Sequence, residues 1–179
     1  YEVYMDTNRR YKQFSKIVAG KKIIDFGCGR GAFLKLVKKD CHEVVGVELQ
    51  KNYSDLINRL GIKCFNDISA VKDNAYDICF SFHVLEHLPN PLKILNMINK
   101  KIIKGGQVII EVPHANDFLL SSFKNKKFKN FTLWSQHLLL HTRSSLYKIL
   151  KNSGFDNIEI EGVQRYPLSN HLNWMISKK

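Results

Sequence analysis

A group of glycines directly after a short apolar run is the part of the sequence best suited to binding a ligand. Residues 22–26 form the apolar run, and Gly27, Gly29 and Gly31 follow it. Glycine lets the backbone turn sharply and approach a ligand closely, and free amides at the start of a following helix can face that ligand. The spacing also satisfies the G-x-G-x-x-G/A dinucleotide pattern, although a tight turn without a ligand would need similar glycines.

Carboxylates follow the next two apolar runs, where they suit the binding of an adenosyl group. Glu48 ends the run 43–48, about 20 residues after Gly27, and from there a carboxylate can accept hydrogen bonds from both hydroxyls of a ribose. Asp67 follows the run 62–65 and is placed to contact an exocyclic adenine amine, although an aspartate there also commonly caps a loop. The position of Glu48 fits both a dinucleotide and an adenosyl ligand.

Histidines stand at two further places in the sequence. A fourth apolar run leads into His83, Glu86 and His87, which would lie at the mouth of the same cleft. His137 and His141 are four residues apart, which on a helix would place both on one face as a metal pair. Because no convincing third and fourth ligands accompany them, we predict no metal site.

Strand-like and helix-like segments alternate along most of the chain. Short apolar runs predict strands over residues 22–26, 43–48, 62–65, 76–81, 107–112 and 157–163. Apolar residues at helical spacing predict helices that begin near Arg30, Tyr53, Pro91 and Thr142. This alternation indicates an α/β, Rossmann-like, doubly wound fold with a mostly parallel sheet and helices on both faces. Ligands of such sheets bind at the carboxyl ends of the strands.

One segment interrupts the alternation. Residues 114–136 are mostly polar and aromatic, so we predict an insertion over one end of the sheet within a single domain covering residues 1–179. The insertion contains a lysine cluster that would form a solvated loop or meet a phosphate-bearing substrate. The cluster consists of Lys124, Lys126, Lys127 and Lys129.

The composition excludes several classes of protein. No apolar run approaches the roughly 18 to 20 residues that span a bilayer, so no transmembrane helix is predicted. The four cysteines form no CxxC pair, which favours reduced thiols in a cytoplasmic protein over a disulfide or zinc framework. Lys and Arg number 28 against 16 Asp and Glu, giving a net charge of +12. This charge favours an anionic partner.

Four segments together resemble the successive motifs of class I S-adenosylmethionine-dependent methyltransferases. The segments are Asp25-Phe-Gly-Cys-Gly-Arg-Gly31, Glu48, Asn66-Asp67-Ile68 and Phe82-His-Val-Leu-Glu-His-Leu-Pro-Asn-Pro91. The later segment Gln136-His-Leu-Leu-Leu-His-Thr142 is similar to small-molecule members of that family. The resemblance covers about residues 20–165. An acidic Asp25 before the glycine loop, where dehydrogenases usually place an apolar residue, also favours the methyltransferases.

The resemblance implies S-adenosyl-L-methionine as cofactor and a role for each motif. The loop of Gly27, Cys28 and Gly29 would hold the methionine end of the cofactor, with Asp25 orienting it indirectly or through water. Glu48, followed by Leu49, would take the ribose hydroxyls, and Asp67 with Ile68 would contact the adenine. Phe82 and His83 would lie beside the sulfonium, with His87 near the cofactor. The family fold further implies that the last strand of the sheet is antiparallel.

The expected reaction is methyl transfer to a small acceptor. The positive charge favours an anionic acceptor, such as a nucleotide-linked or phosphorylated sugar in bacterial surface-carbohydrate biosynthesis, by analogy with similar small methyltransferases. An RNA-directed methyltransferase or RNA-binding protein is the alternative, although no RNA-binding module is recognisable. An NAD(P)-dependent oxidoreductase is the weaker alternative, because it leaves Asp67 and the Glu86-His87 pair unexplained.

A hydroxyl acceptor must lose a proton during transfer, and histidine suits that task near neutral pH. His137 is the first candidate for the base because it follows the insertion and stands in a segment similar to the family. His83 is the second candidate because it follows the fourth strand. Alignment of donor and acceptor alone is the competing explanation, with both histidines only shaping the pocket.

Overall fold

The computed structural model describes residues 2–121, 124–133, 136–166 and 168–176, and it contains one five-stranded parallel sheet. The strand order is β3-β2-β1-β4-β5, so the chain starts in the middle and builds outward in both directions. The strands are β1 Lys22–Phe26, β2 Glu43–Val47, β3 Lys63–Phe65, β4 Tyr76–Phe82 and β5 Ile102–Glu111.

Eight helices lie in the described part of the chain. They are α1 Glu2–Val18, α2 Ala32–Val37, α3 Lys51–Arg59, α4 Pro91–Lys101, α5 Phe118–Ser121, α6 Lys126–Thr132, α7 Arg143–Asn152 and α8 Leu168–Ile176. Two short 3-10 turns cover Ile68–Ala70 and Leu85–His87. None of the helices described is long and apolar enough to cross a membrane.

Alternate residues of the strands bury two hydrophobic clusters, one on each face of the sheet. Ile23 and Phe80 point to the face covered by α1, α2 and α3, where Leu34 is fully buried. Ile24 points to the opposite face, where Ile98 of α4 packs. Because side chains alternate along a strand, a sheet with apolar residues at consecutive positions must be covered on both faces. The doubly wound fold predicted from the alternation is therefore confirmed.

The end of the sheet differs from the prediction. All four strand pairings among the described residues are parallel, so the expected antiparallel last strand is wrong for this sheet. Residues 157–163 form no strand, although Ile158 and Ile160 alternate with exposed glutamates as they would in one. The C-terminal segment Leu168–Ile176 forms no strand either but is the helix α8, in which Leu168, Leu172 and Ile176 recur at helical spacing. Residues 177–179 lie outside the described residues.

Strand β5 begins five residues earlier than the apolar run predicts. The glycines at 105 and 106 lie inside the strand, and the pairing register with β4 shifts between Tyr76 and Ile78. Gly105 has a φ of 79°, and a Cβ on Gly106 would lie 2.6 Å from the main-chain oxygen of Asp77. These glycines therefore allow a bulge within the strand rather than ending a helix.

Candidate functional site

The register of the sheet brings the predicted cofactor residues together at the carboxyl ends of the strands. Phe26, Val47 and Phe65 lie side by side as the last residues of β1, β2 and β3. The glycine loop and Glu48 therefore leave the sheet as neighbours. The parallel pairing of β1 with β4 brings the residues after β4 to the same edge. This arrangement matches the general position of ligand sites in open α/β sheets.

The glycines of the loop have different structural roles. Gly27 has a φ of 74°, and a Cβ there would lie 2.3 Å from Cγ2 of Val84. Gly29 has a φ of 54°, but a Cβ there would meet no heavy atom within 4 Å. Gly27 is thus required by packing inside the protein. Gly29 borders open space that a ligand can occupy.

Glu48 is buried and held by main-chain amides. One carboxylate oxygen accepts a hydrogen bond from the amide of Gly29 at 2.8 Å, and the other accepts one from the amide of Gln50 at 2.9 Å. A carboxylate has about four lone-pair positions, so two further hydrogen bonds can be accepted in this fixed orientation. Leu49, which follows it, is 84% exposed.

Asp25 and Cys28 are the other polar groups at the loop. Burial raises the pKa of Asp25 to about 7, while the positive charge of Arg10 lowers it and the negative charge of Glu48 raises it. The sulfur of Cys28 lies 3.9 Å from that of Cys64, and both thiols are free. The contact with Cys64, followed by burial, raises the pKa of Cys28, which disfavours the thiolate form of this side chain.

Asp67 is an exposed residue that caps the 3-10 turn following β3. Its carboxylate accepts a hydrogen bond from the amide of Ser69 at 2.6 Å, and hydrogen bonds with the side chain and then the amide of Ser69 lower the pKa of Asp67. Asp67 therefore caps the loop, which is the role that the sequence offered as the alternative to a contact with adenine. Ile68 is 2% exposed and contributes to the hydrophobic cluster beneath the turn.

Phe82 lies at the end of β4 in an aromatic cluster. Its ring packs within 6.1 Å of Phe14, Phe33 and Phe80, measured between ring centroids. The guanidinium of Arg10 lies 4.4 Å from the centroid of the Phe82 ring. The ring is thus part of the packing between β4 and α1, and it is still half-buried rather than enclosed.

His83 is held between two carboxylates. Nδ1 lies 3.3 Å from Glu86, and Nε2 lies 3.2 Å from Glu111. Burial lowers the pKa of His83, but the hydrogen bonds with Glu111 and Glu86 outweigh it and the net shift is upward. Its φ of 56° is unusual for a residue with a side chain and marks local strain. With both ring nitrogens bound to carboxylates, His83 is poorly suited to accept a proton.

Glu111 is a charged centre that the sequence analysis does not single out. Its carboxylate accepts hydrogen bonds from Arg9 at 2.8 Å and from Arg10 at 2.7 Å, besides its contact with His83. Burial raises the pKa of Glu111, but these three partners lower it more, so that it lies well below its usual range. Its position near the end of the fifth predicted strand is the signal that could have identified it.

His87 and His137 come together in the structure. Their ring centroids are 4.8 Å apart, and each Nδ1 lies 2.6 Å from a main-chain oxygen, that of Gln136 for His87 and that of Thr132 for His137. His141 does not share a helix face with His137, because residues 137–140 are not helical. In the structure, His137 therefore lies next to His87 and does not form a helical pair with His141.

An open groove lies beside these histidines. It is lined by His83, Glu86, Glu111, His137 and His141, and by Phe128 of α6. The basic cluster lies on and before α6, where Lys124, Lys126 and Lys129 are exposed. The groove therefore has titratable side chains inside it and positive charge beside it.

Comparisons with known proteins agree with this geometry. A family model described as a methyltransferase domain matches residues 4–160. The ubiquinone biosynthesis O-methyltransferase of Aliivibrio fischeri (strain MJ11) is 26% identical over 107 residues, which are 54% of this chain and 46% of the relative. The matched region thus spans about half the length of that relative.

Solved structures show the same fold. A SAM-dependent methyltransferase from Archaeoglobus fulgidus has a TM-score of 0.68 at 22% identity, covering 88% of this chain and 70% of that chain. Phosphoethanolamine N-methyltransferase 2 of Haemonchus contortus, in complex with S-adenosyl-L-methionine, has a TM-score of 0.66 at 22% identity, covering 87% of this chain and 37% of that chain.

The family model covers most of the chain, so the chain belongs to the methyltransferase domain family. Its fold is that of the class I S-adenosylmethionine-dependent methyltransferases. S-adenosylmethionine is the cofactor of this class, and the open space at Gly29 beside the fixed carboxylate of Glu48 fits such a ligand.

Proposed function

We propose that this chain transfers a methyl group from S-adenosylmethionine to a small acceptor. The observation that carries the proposal is Glu48, a buried carboxylate that the amide of Gly29 holds beside open space. A carboxylate fixed in this way can accept both ribose hydroxyls without first having to be ordered. The family match supports this cofactor over a nicotinamide dinucleotide.

The roles proposed for the other cofactor residues rest on their position after the carboxyl ends of the strands. The loop and the buried Asp25 would receive the methionine end, where a carboxyl group with a pKa near 7 can hold the cofactor amine. Asp67 would contact the adenine amine with the oxygen that does not cap the turn. The proposed cofactor set is Asp25, Gly27, Cys28, Gly29, Glu48, Leu49, Asp67, Ile68, Phe82, His83 and His87.

The cofactor supplies an electrophilic methyl group, and the protein must align an acceptor and handle its proton. His137 is the proposed group for the proton. Its Nδ1 contacts the main-chain oxygen of Thr132, so Nδ1 carries the hydrogen and Nε2 carries the lone pair in the neutral ring. His83, the second candidate, fits a positioning role better because two carboxylates hold its ring.

The acceptor is proposed to be anionic, for example a nucleotide-linked or phosphorylated sugar of bacterial surface carbohydrate. Support comes from the exposed lysines of α6, which lie beside the groove. An oxygen acceptor is supported by the Aliivibrio fischeri relative, which is named an O-methyltransferase. RNA remains the second candidate because the whole chain has a net charge of +12.

Calorimetry with S-adenosylhomocysteine and with NADH tests the cofactor. We expect S-adenosylhomocysteine to bind at one site per chain and NADH to give no heat of binding. Tight binding of NADH together with no response to S-adenosylhomocysteine would contradict the proposed function.

Replacement of His137 tests the acceptor side. His137→Ala should leave the affinity for S-adenosylhomocysteine nearly unchanged and lower kcat by roughly 10²-fold or more, the scale of losing a group that removes a proton. The assay measures S-adenosylhomocysteine release with a panel of nucleotide-linked and phosphorylated sugars. His42→Ala, an exposed histidine before β2, is the matched control. Near-normal kcat in the His137 variant would remove this residue from the reaction.

A further inference from the structure

Three side chains between the proposed cofactor site and the acceptor groove form a cluster that suits a metal ion. Glu86, His87 and His137 each offer one ligand atom, and these atoms lie within 4.8 Å of one another. Zinc bonds of about 2.0–2.1 Å need donors about 3.4 Å apart, so small side-chain rotations complete such a site. Two of the ligands come from the turn after β4 and the third from the segment after α6.

The hydrogen bonds of both histidines are those of metal ligands. In each ring Nδ1 lies 2.6 Å from a main-chain oxygen, so Nδ1 donates its hydrogen and Nε2 is the coordinating nitrogen. Metal-bound histidines almost always donate their other ring N–H to a carboxylate, a carbonyl or water, which fixes the tautomer and the ring orientation. His87 and His137 are therefore oriented before any ion arrives.

The buried carboxylate of Glu86 is the second, independent observation. Its residue is 0% exposed, and among the described residues Oε2 has no hydrogen-bond partner. A buried carboxylate oxygen without a partner is strongly unfavourable, and a cation would satisfy it. The other oxygen, Oε1, lies 3.3 Å from Nδ1 of His83, and this contact fixes the orientation of the carboxylate.

We propose that Glu86, His87 and His137 bind one divalent transition-metal ion such as Zn²⁺. Two imidazoles and one carboxylate favour such an ion over Mg²⁺ or Ca²⁺, which prefer oxygen ligands. Three protein ligands leave at least one coordination position open, as in catalytic rather than structural sites. This proposal departs from the sequence-based prediction of no metal site, which considered only His137 with His141; those two do not share a helix face, because residues 137–140 are not helical.

The site deepens the proposed function, and its activity consequence rests on that function. The open position faces the acceptor groove, which Glu86 and His137 both line. A hydroxyl oxygen bound to the ion would lose its proton more readily, because a cation lowers the pKa of an oxygen that it binds. In that case the proton would pass to water in the open groove, and His137 would hold the ion rather than take the proton itself.

Binding of the metal alone tests the proposal without any enzymatic assay. The full chain is freed of metal with a chelator and titrated with Zn²⁺ against a chromophoric competitor, and Co²⁺ is added separately to read the coordination from its absorption. We expect one ion per chain. His137→Gln and the nearly isosteric Glu86→Gln should each weaken Zn²⁺ binding by more than about 100-fold, beyond the 10–100-fold typical of an outer partner.

Matched controls separate this site from the rest of the protein. His42→Gln removes an exposed histidine, and Cys41→Ser removes a half-buried free thiol outside both proposed sites, and neither should change Zn²⁺ affinity. S-adenosylhomocysteine binding by each variant reports its fold. Weak binding by the wild type, binding insensitive to both ligand variants, or equal loss in the cysteine control would overturn the proposal. Each of these results leaves the proposed methyl transfer standing if S-adenosylhomocysteine still binds.

Discussion

Glu48 is oriented by amides and not by a charged partner. Its two oxygens accept hydrogen bonds from Gly29 and Gln50, one on the glycine loop and one at the start of α3. Hydrogen bonds to a charged group are stronger than those between neutral groups, and leaving such a group unpaired when buried is costly. The carboxylate therefore couples the position of the loop to that of the proposed ribose site.

Glu48→Gln tests this coupling. One carboxylate oxygen becomes an NH₂ group that faces an amide donor, so the loop loses one fixed contact and the ligand loses a charged acceptor. We expect S-adenosylhomocysteine affinity to fall by about 1.5–3 kcal/mol, the range for hydrogen bonds to charged groups. Calorimetry measures it, with Glu43→Gln at the other end of β2 as control. Unchanged affinity in a folded Glu48 variant would remove this residue from the site.

The two glycines of the loop give opposite predictions for one substitution. Gly27→Ala places a Cβ 2.3 Å from Val84 and should lower the melting temperature clearly. Gly29→Ala costs about 1–2 kcal/mol for its left-handed backbone but meets no neighbour. It should therefore stay folded and lose cofactor affinity. Thermal melts and calorimetry on the same samples measure both, and a Gly29 variant that binds normally would show that the open space is not used.

Helix α1 is joined to the sheet by ion pairs at the carboxyl end of β5. Arg9 and Arg10 of the helix both bind Glu111, and both also pair with Asp6 one turn earlier. Arg165 reaches the same Asp6 at 2.9 Å, so the segment before α8 joins this network. Charges of both signs are thus shared among three parts of the chain that are distant in sequence.

Glu111 should make stability depend on pH at the acidic end. Its pKa is lowered in the folded protein, so its stabilising contribution is present above the unfolded value of about 4.5 and is lost as the pH falls below it. Glu111→Gln should be less stable at pH 7 by about 2–3 kcal/mol, below the roughly 3–5 kcal/mol for breaking a fully buried pair, because the partners are partly exposed. Its stability should then change less than that of the wild type below pH 5.

Urea unfolding at several pH values measures this difference. His83 has a raised pKa, so its own contribution is lost only as the pH rises, and below pH 5 the ring is protonated in both states. Glu161→Gln, at an exposed carboxylate, is the control. Parallel pH profiles for the wild type and the Glu111 variant would show that the network does not stabilise the fold.

The central elements of the fold could be predicted from the sequence because their signals are local. Strand β1, the glycine loop and the cap of α7 by Thr142 depend on residues close together in the chain. The capping box of α7, in which Thr142 and Ser145 bond each other's amides, is one such signal. The end of the sheet could not be predicted, because alternation at 157–163 does not show which strand, if any, lies beside it.

Some residues of the site could also be predicted from the sequence, and others could not. Glu48 follows a strand and was identified by position, whereas Glu111 depends on arginines about 100 residues away. The contact of His87 with His137 depends on how the segment after α6 folds back, which no periodic pattern in the sequence describes. Contacts between residues so far apart in the sequence are recognised only once the structure is known.

At the scale of the whole molecule, the net charge of +12 should affect association with anions. Long-range attraction between exposed charges is screened by salt, with a Debye length of about 10 Å at 0.1 M. The dense part of this charge lies on and before α6, the helix that contributes Phe128 to the groove, and the remaining basic residues are spread along the chain. A local effect on an anionic acceptor can therefore be separated from a general effect of charge.

Replacing Lys124, Lys126, Lys127 and Lys129 with Gln should raise the apparent KM of an anionic acceptor, and more strongly at low salt. S-adenosylhomocysteine affinity should change little. Four exposed lysines elsewhere, Lys16, Lys35, Lys72 and Lys100, give a control with the same change in charge. Steady-state kinetics from low to physiological salt measures the effect. An equal rise in KM for both variants would assign the effect to net charge, and no change at any salt would leave the cluster a solvated loop.

If the cofactor amine binds beside the buried Asp25, as proposed, cofactor binding involves an exchange of protons with the solvent. With a pKa of about 7, the folded chain at neutral pH is a mixture of two protonation states. A cationic amine docked beside this carboxyl group favours the charged form, so a proton is released to the buffer. The heat of binding then includes the heat of protonating the buffer. Phosphate and Tris should therefore give different apparent enthalpies, and the difference counts the protons released per ligand bound.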